Sequence, residues 1–137
     1  MNLRVAVAMT FALGCSGETN SPQLEQIEPS FASIQRVVFN ASCSATSCHG
    51  STAKAGLTLT PGSSYANLVN VTSQNDNAHS PQFKRVLPGS PDSSFLWIKL
   101  TNPGPQQGDR MPQVGNSLPD EYLQAIRTWI VQGAQNN

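Results

Sequence analysis

The sequence predicts an all-α fold, a small helical domain with long loops. Three observations carry that expectation. Apolar residues recur at helical spacing near residues 31–38 and again at 122–130. Residues that favour helix starts stand just before both stretches. Between helical segments, residues 101–117 (TNPGPQQGDRMPQVGNS) hold three prolines and three glycines and read as loop. With 137 residues, one domain is expected.

The N-terminus reads as a targeting segment. Residues 1–14 place Arg4 before an apolar run, Val5 to Leu13, that ends in Gly14. This is the pattern of a signal peptide, and it is too short to span a membrane as a helix. Ala12-Leu13-Gly14-Cys15 resembles a bacterial lipobox, which would make Cys15 the lipidated first residue of the mature chain. The alternative is a plain secretory signal that contains a cysteine. Residues 15–29 are polar and are expected to be a flexible linker. The folded domain is expected over 30–137.

Within that domain, Ser30 can cap a helix from Phe31 to about Phe39, with Phe31, Ile34 and Val38 on one face. Residues 56–62 (GLTLTPG) alternate briefly before a Pro-Gly turn. Residues 64–71 suggest a short helix or an irregular turn, and 72–82 a polar loop. Ser90-Pro91-Asp92 predicts the start of another helix, running through Phe95, Leu96, Trp97, Ile98 and Leu100. Ser117 and Asp120 form a capping pattern ahead of Tyr122, Ile126, Trp129 and Ile130. Gly133 is placed to end that helix in a left-handed turn. The first and last helices are expected to cross through their apolar faces.

Composition narrows the function. The formal net charge is +0, so nothing suggests a nucleic-acid or anionic-membrane surface. Eight carboxylate side chains form no obvious pair, and the chain has no Gly-rich phosphate loop and no second His–acid pair. The sequence therefore does not predict an enzyme, and no small-molecule substrate is expected.

The chemistry lies in the cysteines. Cys43-Ser-Ala-Thr-Ser-Cys48-His49 places a histidine directly after the second of two thiols. The related C-x-x-C-H pattern attaches c-type haem: two thiols add to the vinyl groups, and the histidine binds iron. Here four residues separate the cysteines instead of two, and the extra pair can bulge away without moving the thiols. Two other readings stay open on the motif alone, beside a third, reduced structural thiols, which an exported chain disfavours. The cysteines could form a disulfide in an oxidising compartment. Alternatively, they could bind zinc with His49 and the second histidine, His79.

Further along the chain stand Phe39-Asn40, Cys48-His49-Gly50, Gly56-Leu57-Thr58-Leu59, Arg85-Val86-Leu87-Pro88-Gly89-Ser90-Pro91 and Ser94-Phe95-Leu96. Met111-Pro112 and Trp129-Ile130-Val131-Gln132-Gly133-Ala134 follow. In this order, over about residues 30–134, the set resembles the cytochrome c-like domains of exported bacterial proteins, of planctomycete and myxobacterial type. The resemblance implies one covalent haem c held through Cys43 and Cys48, with His49 on the iron. Leu57, Leu59, Leu68, Leu96 and Trp97 are candidates for its pocket.

Met111 is the expected sixth ligand, because methionines 1 and 9 lie in the signal segment and Met111 stands in the loop before the last helix. His79 is the competing ligand. The function implied is an electron carrier on the periplasmic side, anchored to a membrane through Cys15, serving a redox partner protein. The rivals are a haem sensor with an open sixth position and an exported disulfide- or zinc-stabilised interaction module.

Overall fold

The computed structural model describes residues 24–75 and 83–137. The expected signal segment, Cys15, the first part of the expected linker and His79 lie outside the described residues. Every named element among those described is helical, and β structure is confined to three isolated bridges, Val69 with Val86, Thr72 with Lys84, and Lys84 with Ser94. No helix among them is long and apolar enough to cross a membrane.

Helix α1, Phe31–Ile34, starts at the expected cap. Ser30 is extended (φ −126°, ψ 151°), and its hydroxyl accepts from the Ser33 N–H. The helix does not stop near Phe39. It continues as a π-helical segment over Gln35–Cys43, with wider i→i+5 turns. The Gln35 and Asn40 side chains, five apart, hydrogen-bond along its outside (2.8 Å). The Gln35 amide also donates to the Leu59 carbonyl (3.0 Å) and accepts from the Ser64 hydroxyl. This amide ties the segment to the following loop and to α2, Ser64–Leu68.

Residues 56–62 form no strand; a 3-10 turn at Lys54–Gly56 leads into irregular chain that buries Leu59. The helix expected from Ser90 begins later. Pro91–Ser93 is a single 3-10 turn, and α3 spans Phe95–Thr101 with Ser94 at its cap position. The Ser94 hydroxyl is fully buried, donating to the Ser90 carbonyl (2.8 Å), with the Leu87 carbonyl at 3.3 Å, and accepting from the Leu87 N–H (2.9 Å). These bonds stitch α3 to the preceding loop.

Helix α4, Asp120–Val131, is preceded by Pro119 in an extended conformation, and Ser117 does not cap it. Asp120 and Glu121 in the first turn suit the positive end of the helix dipole. Its far end closes as expected at Gly133 (φ 99°), with Gly133 N–H on Ile130 O (3.0 Å) and Ala134 N–H on Trp129 O (2.9 Å). That pair of bonds is a Schellman closure.

The core forms where α1 meets α4. Ile34, Val38, Ile126 and Ile130 are wholly buried beside Trp129. The Phe31 ring lies 5.7 Å from Trp129 and 5.0 Å, edge-on, from Tyr65. Tyr122 is only half-buried at the margin. Residues at both flanks of the domain complete α1. Asn137 accepts from Phe31 N–H through its side chain (3.0 Å) and from Ala32 N–H through its carbonyl (2.8 Å), satisfying donors that a helix start leaves open. The end of the expected linker also belongs to the fold, since Ile27 packs on the core and Glu28 N–H donates to Ser33 Oγ.

Candidate functional site

The π-helical segment delivers Cys43 at its last position, and the chain then folds tightly. Ser44 N–H donates to Phe39 O (2.8 Å), Cys48 N–H and Gly50 N–H both donate to Ala45 O (2.9 and 3.0 Å), and His49 N–H donates to Cys43 O (3.1 Å). The four residues between the cysteines therefore form a compact turn. Gly50 is required by packing: a Cβ there would lie 2.5 Å from Ser44 O and 2.8 Å from Ala45 O.

His49 is held from two directions. Its carbonyl accepts from Leu59 N–H (2.7 Å), and its ring Nδ1 lies 3.3 Å from the Leu57 carbonyl. When Nδ1–H donates to that carbonyl, the lone pair of Nε2 is left for a metal.

A cavity of about 630 Å³ opens beside this segment, and Cys43, Cys48, His49 and Met111 all line it. Its size falls within the range of ligand and cofactor pockets, ~300–1,000 Å³. Leu57, Leu59, Leu68, Leu96, Phe95 and Leu100 give it an apolar wall. Four of the five apolar residues expected there are present. Trp97 does not line the cavity and instead packs half-buried against the core.

The loop carrying Met111 is fastened to α3. Met111 N–H donates to Lys99 O (2.7 Å), and Arg110 Nε donates to Leu100 O (2.7 Å). The Lys99 ammonium reaches back to the Gln107 carbonyl (3.0 Å) and to the Asp109 carbonyl. Burial lowers the Lys99 pKa, partly offset by the nearby Asp109 carboxylate. The Met111–Pro112 bond is cis.

Cys43 and Cys48 are free thiols, both half-buried. Burial, and secondarily the neighbouring Cys48, pushes the Cys43 thiol up to about 12. Among the described residues no group of three or more His, Cys, Asp and Glu side chains gathers as a metal site. The zinc reading therefore has no three-ligand cluster among those residues, and its proposed fourth ligand, His79, lies outside them.

Sequence reasoning missed Arg85. It lines the same cavity at 6% exposure, its guanidinium donating to Asn67 O (2.9 Å) and Ala55 O (3.1 Å). Burial lowers its pKa. The available signal was Arg85, next to Lys84, at the head of the apolar stretch RVLPG between two turn-rich segments.

Comparison of the chain with protein-family models, curated proteins and solved structures gives no match.

Proposed function

We propose that this protein is a c-type cytochrome that carries electrons through one covalently attached haem, within a cytochrome c-like helical domain. The observation that carries the reading is the convergence of Cys43, Cys48, His49 and Met111 on one apolar cavity of cofactor size. Two thiols, an imidazole and a thioether, from segments more than 60 residues apart in sequence, are the donor set that attachment and axial ligation of haem require. The apolar wall suits a tetrapyrrole face.

In this reading Cys43 and Cys48 would hold the haem covalently, and His49 and Met111 would bind its iron. The haem supplies one-electron exchange at its iron. The protein's own residues orient the imidazole through the Leu57 carbonyl, fasten the methionine loop to α3, and keep water from the apolar wall. Ligation by both residues leaves no open position for a substrate, so the reading is a carrier and not an enzyme. The chain would be exported and tethered through Cys15 to a membrane on the periplasmic side, where a redox protein is its partner.

Production with a cytochrome c maturation system tests the proposal. Haem should remain on the chain after denaturing electrophoresis. Substituting Cys48 or His49 should abolish that band, whereas Cys43→Ser should leave a single thioether. A product whose intact mass is always that of the apoprotein, with Cys43 and Cys48 joined as a disulfide, would refute it.

A further inference from the structure

We propose that Arg85, the buried one of three cations lining a largely apolar cavity, is an anchoring site for a carboxylate of the tetrapyrrole. This rests on the haem reading above. It starts from an imbalance in the apoprotein.

A buried cation is costly unless an anion or a metal site compensates it. Arg85 is 6% exposed, yet no acidic side chain among the described residues pairs with it. The ion pair present among them, Arg36 with Glu25, lies at the surface. Two backbone carbonyls accept from two guanidinium nitrogens, which leaves part of a five-donor fork for another acceptor.

The backbone around Arg85 is fixed. Arg85 N–H donates to Val71 O (2.7 Å), and its carbonyl accepts from Leu96 N–H (2.9 Å). Its neighbours Lys84 and Val86 both sit in β bridges. The guanidinium is therefore held at the cavity wall by main-chain contacts on both sides, and its fork geometry suits a carboxylate bound through two oxygens. Lys99 and Lys54 also line the cavity, but the Lys99 ammonium is taken up by the Gln107 and Asp109 carbonyls and Lys54 is exposed. Haem carries two carboxylates, so one of them on Arg85 would remove the imbalance and fix the rotation of the ring in its pocket.

The test uses apoprotein made without the maturation system and two probes: iron mesoporphyrin, whose ethyl groups cannot react with thiols, and its dimethyl ester. Binding is read from the shift of the main absorption band. The free acid should bind the wild-type chain about tenfold tighter than the ester, or more, as expected for a charge-assisted hydrogen bond. Arg85→Gln should erase that preference, Arg85→Lys should keep part of it, and Lys99→Gln should leave it intact. Equal affinity of the wild-type chain for both probes overturns the Arg85 site while leaving the haem reading standing. So does a preference that survives Arg85→Gln or moves with Lys99. A wild-type chain that binds neither probe overturns the Arg85 site, and one that also takes no haem from the maturation system overturns the haem reading. The comparison of the two probes on the wild-type chain needs no substitution, so it holds even where a variant fails to fold.

Discussion

The ring Nδ1 of His49 lies 3.3 Å from the carbonyl oxygen of Leu57, and two residues later Leu59 returns an N–H to the His49 carbonyl. The 57–59 segment thus grips the histidine by ring and backbone together. Of the two ring tautomers, the one carrying its proton on Nδ1 is the expected form. Nitrogen-15 NMR of the two ring nitrogens checks it, and a dominant Nε2–H tautomer would contradict the arrangement.

On the haem reading proposed above, Met111 should govern the low-spin ferric state of the bound iron. Met111→Ala should remove the weak long-wavelength charge-transfer band of methionine–ferric haem and lower the reduction potential. His79→Ala should change neither. Loss of the low-spin signature in His79→Ala, with Met111→Ala silent, would make the iron bis-histidine.

Gly50→Ala places a methyl group against two backbone carbonyls, at 2.5 and 2.8 Å. Backbone cannot yield as a side-chain tip can. Overpacking of this kind typically costs about 1–3 kcal/mol. Denaturant unfolding of the apoprotein should show that loss, and the haem yield should fall as the turn between the cysteines shifts. Unchanged stability would mean the turn is looser than the packing implies.

Trp129 is 1% exposed and stacks beside Phe31 at the crossing of α1 and α4. Its indole N–H donates to the Gln135 carbonyl (2.8 Å). Trp129→Ala should destabilise the fold by about 3–5 kcal/mol, the usual cost of emptying so large a site. Calorimetry of variant and wild type compares them directly.

The Cys43 thiol, pushed up to about 12 from 9.0 by burial and by Cys48, stays protonated near neutrality in the folded apoprotein. Its folded value exceeds the unfolded one. The associated stability is thus complete below pH 9.0 and is lost as pH rises towards 12. Between those limits the wild-type apoprotein should lose stability faster than Cys43→Ser. At pH 8, iodoacetamide should modify Cys43 far more slowly in the folded chain than in urea, as peptide mass mapping will register.

The parts of this molecule legible in its sequence are those governed by local chemistry. Ser30 caps α1 because a hydroxyl before an apolar face has a nearby N–H to accept from, and Gly133 closes α4 because only a left-handed residue fits there. The motif residues Cys43, Cys48, His49 and Met111 could be picked out by type and order, and they line one cavity. What escaped was decided by distant partners. Ser90 reads as a helix start, but Ser94 is drawn into bonds with Leu87 and Ser90, so α3 begins after it. Ile27 belongs to a polar stretch yet finds the core. Arg85 could be recognised as a cavity residue only once Ala55 and Asn67 were beside it.

The wide-turned segment Gln35–Cys43 makes the site sensitive to chain length more than to residue type. Each residue of an ordinary helix advances about 100° around the axis. Removing one residue between Gln35 and Asn40, with the wide turns kept, would swing the thiol at the end back by roughly that angle. The Gln35–Asn40 clasp, made across five positions, would fall out of step as well. A substitution on this segment changes one contact, but a single-codon deletion re-aims the whole terminus. Count, as much as composition, is what this stretch of chain encodes.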